Sequence, residues 1–367
     1  MTELGRSIAR RIAHTGPITV ADFMAEALGH PTLGYYRRAL SLGAQIIGKE
    51  GDFTTAPEIS QMFGELLGAW LADRWLAMGA PDAVQLVELG PGRGTLMADA
   101  LRATRGVPGF HAAIDLHLVE INEPLRALQA SALAAYRPTW QGSLDDVPPG
   151  PMLLVANEFF DALPVHQAVK QINGWYERTV EVDLYGNLAF GTGSEQLSLF
   201  EQMLPKKVRD APIGSIYEWR IDRVALEIGR RIMPHGKPGG AALIIDYGHT
   251  ESAVGDTLQA VGAHAFAGTL SQPGQVDLTA HVDFAALALS IESMGASAHG
   301  PVDQAHFLRS LGLANRAAVL KAHAPPDKAR DIDLAVQRLT GEGRTGMGHL
   351  FKVAAFADPK IGPLPGF

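Results

Sequence analysis

The strongest chemical signal in the chain is Val87-Glu88-Leu89-Gly90-Pro91-Gly92-Arg93-Gly94-Thr95, three glycines at alternate positions where an apolar run gives way to a helical pattern. Glycine at such a junction permits a tight turn and close approach of a ligand to the backbone, and the unpaired N–H groups of a helix start attract a negative group. A cofactor carboxylate or phosphate is therefore expected there. The dinucleotide fingerprint would need glycine at position 95, where the chain has Thr95, and the pattern G-x-x-x-x-G-K-[ST] of nucleotide-triphosphate loops is absent. Glu120 closes the next apolar run, where a carboxylate can accept hydrogen bonds from adjacent ribose hydroxyls, the alternative being that it caps the following helix. Five more polar residues sit at the ends of apolar runs or at a helix start. Asn157, Glu158 and Asp161 follow residues 151–156. Asp246 ends residues 241–246 and either faces a substrate or caps a loop. His281 precedes a helical pattern and is either a proton acceptor or a capping and packing residue.

These residues need a scaffold that brings strand ends together. After Pro81 the chain alternates short apolar runs with helical patterns, the order that argues an α/β fold with a parallel sheet and crossover helices. Strands are expected at 83–89, 114–120, 139–141, 151–156, 241–246, 296–300 and 350–357, seven in all. Helices are expected at 95–105, from about 123, at 217–233 and at 282–294. Residues 165–192 read as an inserted β-meander, because Asn173-Gly174 and Gly186-Asn187 are turn dipeptides between Val-, Trp-, Tyr- and Phe-rich runs. Residues 250–280 read as a glycine-rich loop region and 302–345 as helical. The organisation expected is an N-terminal helical module at 1–80, the sheet domain at 81–164 and 217–301 interrupted by the meander at 165–216, a helical insertion at 302–345, and a last strand and tail at 346–367.

Composition removes several classes of function. With no cysteine, the chain has no thiol nucleophile, disulfide framework or cysteine-ligated metal. A net charge of −8 with scattered Lys and Arg gives no footprint for nucleic acid. No uncharged apolar stretch reaches the roughly 18 residues of a membrane span. The 13 histidines show no metal-ligand spacing such as H-E-x-x-H, so no metal is expected. Arg6, Arg10 and Arg11 accompany Glu3 and read as a surface helix rather than a transit peptide.

An acid two residues before G-x-G-x-G resembles motif I of S-adenosylmethionine-dependent methyltransferases, which implies that Glu88, Gly90, Gly92, Gly94 and Glu120 hold that cofactor. Ser143 and Leu144, after the third strand, lie where adenine sits in such a fold. A narrower resemblance rests on Gly51-Asp52-Phe53-Thr54-Thr55-Ala56-Pro57-Glu58-Ile59-Ser60-Gln61-Met62-Phe63-Gly64-Glu65, on residues 87–96, on Asn157-Glu158-Phe159-Phe160-Asp161-Ala162-Leu163-Pro164 and on Ile245-Asp246-Tyr247-Gly248. These segments resemble the MidA-like methyltransferases, a family that includes the mitochondrial complex I assembly-factor arginine methyltransferase. The resemblance implies a Rossmann-like, seven-stranded class I methyltransferase fold. It also implies methyl transfer from S-adenosylmethionine, with S-adenosylhomocysteine as product, to an arginine of a respiratory complex I subunit as symmetric dimethylarginine. With no presequence before the family domain, a bacterial and cytoplasmic member is expected, or the mitochondrial matrix if the source is eukaryotic. The partners expected are a protein substrate and a second copy in a homodimer.

A protonated guanidinium is a poor nucleophile, so a site for it should hold carboxylates that orient it and draw charge away from the attacking nitrogen. Glu158 and Asp161 have the right type. In protein arginine methyltransferases a pair of acids after this strand grips the guanidinium, and Glu158 matches the first of the pair, Asp161 less closely because the usual loop is longer. The rival reading makes Asn157, Glu158 and Asp161 a hydrogen-bonded turn that supports the cofactor. The segment at 51–65 is either an N-terminal cap, with Thr55 or Ser60 accepting helix N–H groups, or a lid over the methionine end of the cofactor with Thr54 or Glu58 near it. Two other functions stay open, small-molecule O- or N-methylation and a cofactor-binding assembly chaperone without turnover.

Overall fold

The computed structural model describes residues 1–37, 55–233, 239–262, 265–343 and 346–367. The apolar runs become seven strands of one sheet: β1 (Val84–Leu89), β2 (Ile114–Val119), β3 (Thr139–Gln141), β4 (Met152–Asn157), β5 (Gly240–His249), β6 (Ser297–Asp303) and β7 (Phe351–Ala357). Their order is β3-β2-β1-β4-β5-β7-β6. The first five pair in parallel, whereas β7 runs antiparallel to both β5 and β6. Parallel strands are covered on both faces and so read as continuous apolar sequence. Leu153, Leu154, Val155 and Ala156 of β4 are accordingly all inaccessible to solvent. Alternation along β4 sends Leu153 and Val155 into one core and Leu154 and Ala156 into the other.

The connections decide where a ligand can sit. From β1 the chain builds outward through β2 to β3, then returns to lay β4 on the other side of β1. That reversal opens a crevice at the carboxyl ends of β1 and β4, the place where open α/β sheets bind ligands. Every candidate residue that follows a strand lies at this end.

The helices that position the site are α1 (Glu3–Thr15), α2 (Val20–Gly29), α3 (Gln61–Ala77), α4 (Thr95–Ala103), α5 (Glu123–Ala132), α6 (Arg223–Ile232), α7 (Phe284–Glu292), α8 (Gln304–Ser310), α9 (Leu313–Ala322) and α10 (Pro326–Thr340). Residues of α3, α4 and α8 to α10 fill one core, and residues of α6 and α7 fill the other. Ser60 caps α3, its Oγ accepting from Met62 N at 3.2 Å. Gly64 and Gly68 let α3 lie directly on α4: a Cβ on Gly68 would stand 2.5 Å from the Ala100 carbonyl oxygen, and one on Gly64 2.8 Å from that of Leu96. The glycine loop that leads into α4 is thus backed by a tightly packed helix pair. In α1, Leu4, Ile8 and Ile12 recur every four residues and form one buried face. They meet α2, the meander residues Val165 and Val180, and Leu278 in a third core.

The meander comprises His166–Gln171, Gly174–Val182 and Leu188–Gln196, with the expected turns at Gly174 and Gly186, both at positive φ. Ile18–Thr19 joins it as an antiparallel edge strand, so the N-terminal module and the meander share a sheet. Three expectations differ from the structure. Residues 217–233 are not one helix: Ile216–Trp219 is a strand paired with His166–Gln171, and α6 starts only at Arg223. The alternation of Ile216-Tyr217-Glu218-Trp219 suits a sheet edge better than a helix face. Residues 250–280 are not all loop but contain a small antiparallel sheet of Gln259–Gly262, Ala265–Ala267 and Asp277–Thr279, each strand too short to show a period. Val282–Asp283 pairs in parallel with the end of β5, so His281 precedes a strand rather than a helix.

Candidate functional site

The glycine loop takes its shape from backbone angles that only glycine adopts readily. Gly90, Gly92 and Gly94 have φ of 62°, 54° and 83°, and Gly94 is the residue before α4. A Cβ on Gly90 would lie 2.9 Å from Cδ2 of Phe159, which shows how closely the loops after β1 and β4 approach each other. Beneath the loop, Glu88 is 3% exposed, and among the described residues its Oε2 has no hydrogen-bond partner. Burial pushes its carboxyl up to about 8.

Glu120 sits one strand away. Its Oε1 accepts from Asn122 N at 2.7 Å and its Oε2 from Gln129 Nε2 at 3.4 Å. It therefore braces the entry to α5 and lines the crevice at once, so the two sequence readings are not exclusive. Burial raises its carboxyl, against the pull of these donors. Ser143 and Asp146 form a capping box on the single turn that begins at Leu144, and Ser143 and Leu144 both face the crevice.

At the end of β4, Glu158 is a non-glycine residue at φ 52°, an unusual conformation of the kind that concentrates at functional sites. Its Oε1 accepts from Asn157 Nδ2 at 3.1 Å and from Ala56 N at 3.3 Å. Burial, reinforced by the Asp161 charge, pushes its carboxyl up to about 8. Asp161 is 5% exposed and its Oδ1 has no partner among the described residues, while Tyr247 hydrogen-bonds the carboxyl group. Burial raises this acid too. Tyr36 donates to Asp277 Oδ1 at 3.2 Å on the far wall. His281 lines the same crevice, its ring edge-to-face with Tyr247 at 5.5 Å, and burial followed by the charges of His249 and Arg220 lowers its pKa and keeps it neutral.

Asp246 plays a different part. It is fully buried and does not line the crevice. Its Oδ2 accepts from the amides of Phe159, Phe160 and Asp161 at 3.2, 2.9 and 3.1 Å, and its Oδ1 accepts from Tyr247 N at 2.9 Å. The geometry answers the loop-capping reading: Asp246 folds the turn that presents Glu158 and Asp161. Replacing it with Asn turns an NH2 group toward amides that need an acceptor, and Asp246→Asn is expected to cost about 1 to 3 kcal/mol of unfolding free energy, read by urea titration. An unchanged denaturation midpoint with lost activity would instead make Asp246 part of the chemistry.

The described part of the N-terminal segment contributes Thr55, Pro57 and Glu58 to the lining of the crevice. Glu58 lines the crevice, and its Oε1 accepts from Thr95 Oγ1 at 2.5 Å. Thr54 and the preceding residues 51–53 lie outside the described residues. Thr55 makes no capping bond with its side chain.

Two residues that matter here gave no signal in sequence. Arg220 donates to the carbonyls of Leu163 at 3.2 Å, His281 at 2.8 Å, Asp161 at 3.3 Å and Ala280 at 2.8 Å, stapling the turn after β4 to the loop that carries His281. Gln129, wholly buried, joins Glu120 to the glycine loop. The crevice as a whole has a volume of about 2020 Å³, with the glycine loop and Glu120 on one side and Glu158, Asp161, Tyr247 and His281 on the other.

Residues 66–302 match the family described as "Putative S-adenosyl-L-methionine-dependent methyltransferase". Protein arginine methyltransferase NDUFAF7, mitochondrial, from Danio rerio is 38% identical over 347 residues, covering 88% of this chain and 79% of that protein. The Homo sapiens protein of the same name is 36% identical over 372 residues, covering 93% and 79%. The chain is a member of the MidA-like S-adenosylmethionine-dependent methyltransferases. A solved superfamily member from Burkholderia thailandensis, bound to S-adenosyl-homocysteine, superposes with a TM-score of 0.82 at 29% identity over 99% of this chain and 93% of that one. The expected class I methyltransferase fold is thereby confirmed. A methyltransferase needs a place for the donor's amino-acid end and its ribose. The site has a tight glycine turn, a buried acid at Glu88 with one oxygen unpartnered among the described residues, and a strand-end acid at Glu120, groups that fit both.

Proposed function

We propose that this methyltransferase modifies arginine side chains in proteins, with Glu158 and Asp161 as the guanidinium-binding pair. The observation that carries the proposal is the buried Asp161 carboxyl, one oxygen without a partner among the described residues, beside Glu158 across the crevice from the glycine loop. Burial penalises the ionised form of both acids, and a cation that enters between them offsets that penalty and draws them into the charged form. The names of the curated relatives support the same substrate class.

Gly90, Gly92, Gly94, Glu88 and Glu120 hold the donor, with Ser143 and Leu144 at its adenine, Asn157 beside it and Glu58 over it. When bound, the donor supplies an electrophilic methyl group on sulfur. The chain's own residues supply alignment. Glu158 and Asp161 hold two guanidinium nitrogens and draw the positive charge toward themselves, which leaves the remaining nitrogen richer in electrons and aimed at the glycine loop. Forming the new N–C bond requires that nitrogen to lose a proton. Neutral His281, in contact with Tyr247 beside Asp161, receives it.

The volume also bears on the substrate. The crevice of about 2020 Å³ takes in the donor site as well as the acceptor side and leaves room for a polypeptide arm beside the donor. The finer reading takes a respiratory complex I subunit as the client and symmetric dimethylarginine as the product. It places a bacterial enzyme in the cytoplasm and a eukaryotic one in the mitochondrial matrix. Its homodimeric state is read by light scattering of the purified protein. Mass spectrometry of methylarginine peptides from cells with and without the protein tests the client: at least one such peptide should disappear with the gene. An unchanged set of methylarginine peptides would remove the arginine assignment.

A further inference from the structure

We propose that Gln129 is a positioning residue for the methyl donor: its side-chain amide ties the glycine loop after β1 to the acid at the end of β2, so the two halves of the donor site are held as one unit. Gln129 lies on α5 with no exposed surface, yet it carries a polar group that is costly to bury unless bonded. Its Nε2 donates to the Gly92 carbonyl oxygen at 2.8 Å and to Glu120 Oε2 at 3.4 Å. Its Oε1 accepts from Trp140 Nε1 of β3 at 2.8 Å. One amide thus engages three separate elements, the glycine loop, the end of β2 and β3. The fit is close on the backbone side as well, since a Cβ on Gly94 would stand 3.4 Å from the Gln129 Cα.

Gly92 and Glu120 line the crevice, whereas Gln129 does not, so it acts through them. Its two donor bonds have complementary effects. The bond to Gly92 fixes the carbonyl of the tightest residue in the loop, which sets the direction of the neighbouring amides. The bond to Glu120 engages Oε2, just as Asn122 N engages Oε1, and the two together fix the plane of a carboxyl group that lines the crevice. Without Gln129 the carboxylate can rotate and the loop carbonyl is stranded.

Calorimetry with S-adenosylhomocysteine tests this on the full chain, using Gln129→Met, which keeps length and volume but has no amide, and Gln129→Glu, which keeps the acceptor for Trp140 and has at most one donor for the two bonds that Nε2 makes. Each should weaken binding about tenfold. Because Gln129 works partly through Glu120, its loss in a Glu120→Ala background should be clearly smaller than in the wild type, so the double variant binds more tightly than the product of the single losses predicts. Tryptophan emission gives a second readout: the change on ligand binding in wild type should be reduced in Trp140→Phe. A packing role would leave Gln129→Met with wild-type affinity. Affinity within twofold of wild type in either folded variant, or losses that multiply with Glu120→Ala, would overturn the proposal. If Gln129→Met does not fold, Gln129→Glu carries the same comparison.

Discussion

Glu158→Gln is expected to bind S-adenosylmethionine as the wild type does and to transfer methyl groups about 10² to 10³ times more slowly, the usual cost of removing one oriented electrostatic contact at a reacting centre. The substitution keeps the shape and an oxygen to accept from Asn157 and Ala56, so the turn should hold and the melting temperature should stay near that of wild type. The pH profile adds a sharper criterion. In the free enzyme Glu158 keeps its proton up to about pH 8 through burial, so the anion that grips a guanidinium is scarce below that value. The profile of kcat/KM reports groups of the free enzyme, and it should rise with pH and level off above about 8. In Glu158→Gln that rising limb should vanish. A stable Glu158→Gln protein with full activity would move the chemistry to Asp161 and His281.

Gly92→Val should abolish donor binding, weakening it by at least about a hundredfold, or roughly 2.7 kcal/mol. At φ 54° a β-branched residue is severely disfavoured, so the loop must open to accept it, and the Gly92 carbonyl then leaves Gln129. The sheet lies behind this loop and should still form, so circular dichroism should show a folded protein while calorimetry shows no heat with S-adenosylhomocysteine. A folded Gly92→Val variant of wild-type affinity would mean that the donor binds elsewhere.

Much of the site was legible in sequence because its parts are local. The Gly90 to Gly94 turn, Glu120 and Asn157-Glu158 each stand at the end of an apolar run, and the topology brings those ends together. Asp246 shows where that legibility stops. Its position at a strand end allowed two roles, and only the three amides of the turn at 159–161 separate them. Gln129 and Arg220 left no local trace at all. Gln129 sits mid-helix, 37 residues from the carbonyl it bonds, and Arg220 is 59 residues from Asp161, so only the folded chain reveals their partners. Arg220 was further obscured by the reading of residues 217–233 as a helix, whereas it follows the edge strand Ile216–Trp219. The short strands between Gln259 and Thr279 escaped notice because three or four residues cannot display a period.

If the acids after β4 serve arginine, amino-acid analysis of the labelled product will show it. Purified enzyme is incubated with S-adenosylmethionine carrying a tritiated methyl group and lysate from cells that lack the protein, and the labelled protein is hydrolysed. Label is expected in methylated arginine with wild-type enzyme and should be nearly absent with Glu158→Gln, at equal donor binding. Label in small molecules or in another amino acid would contradict the arginine assignment.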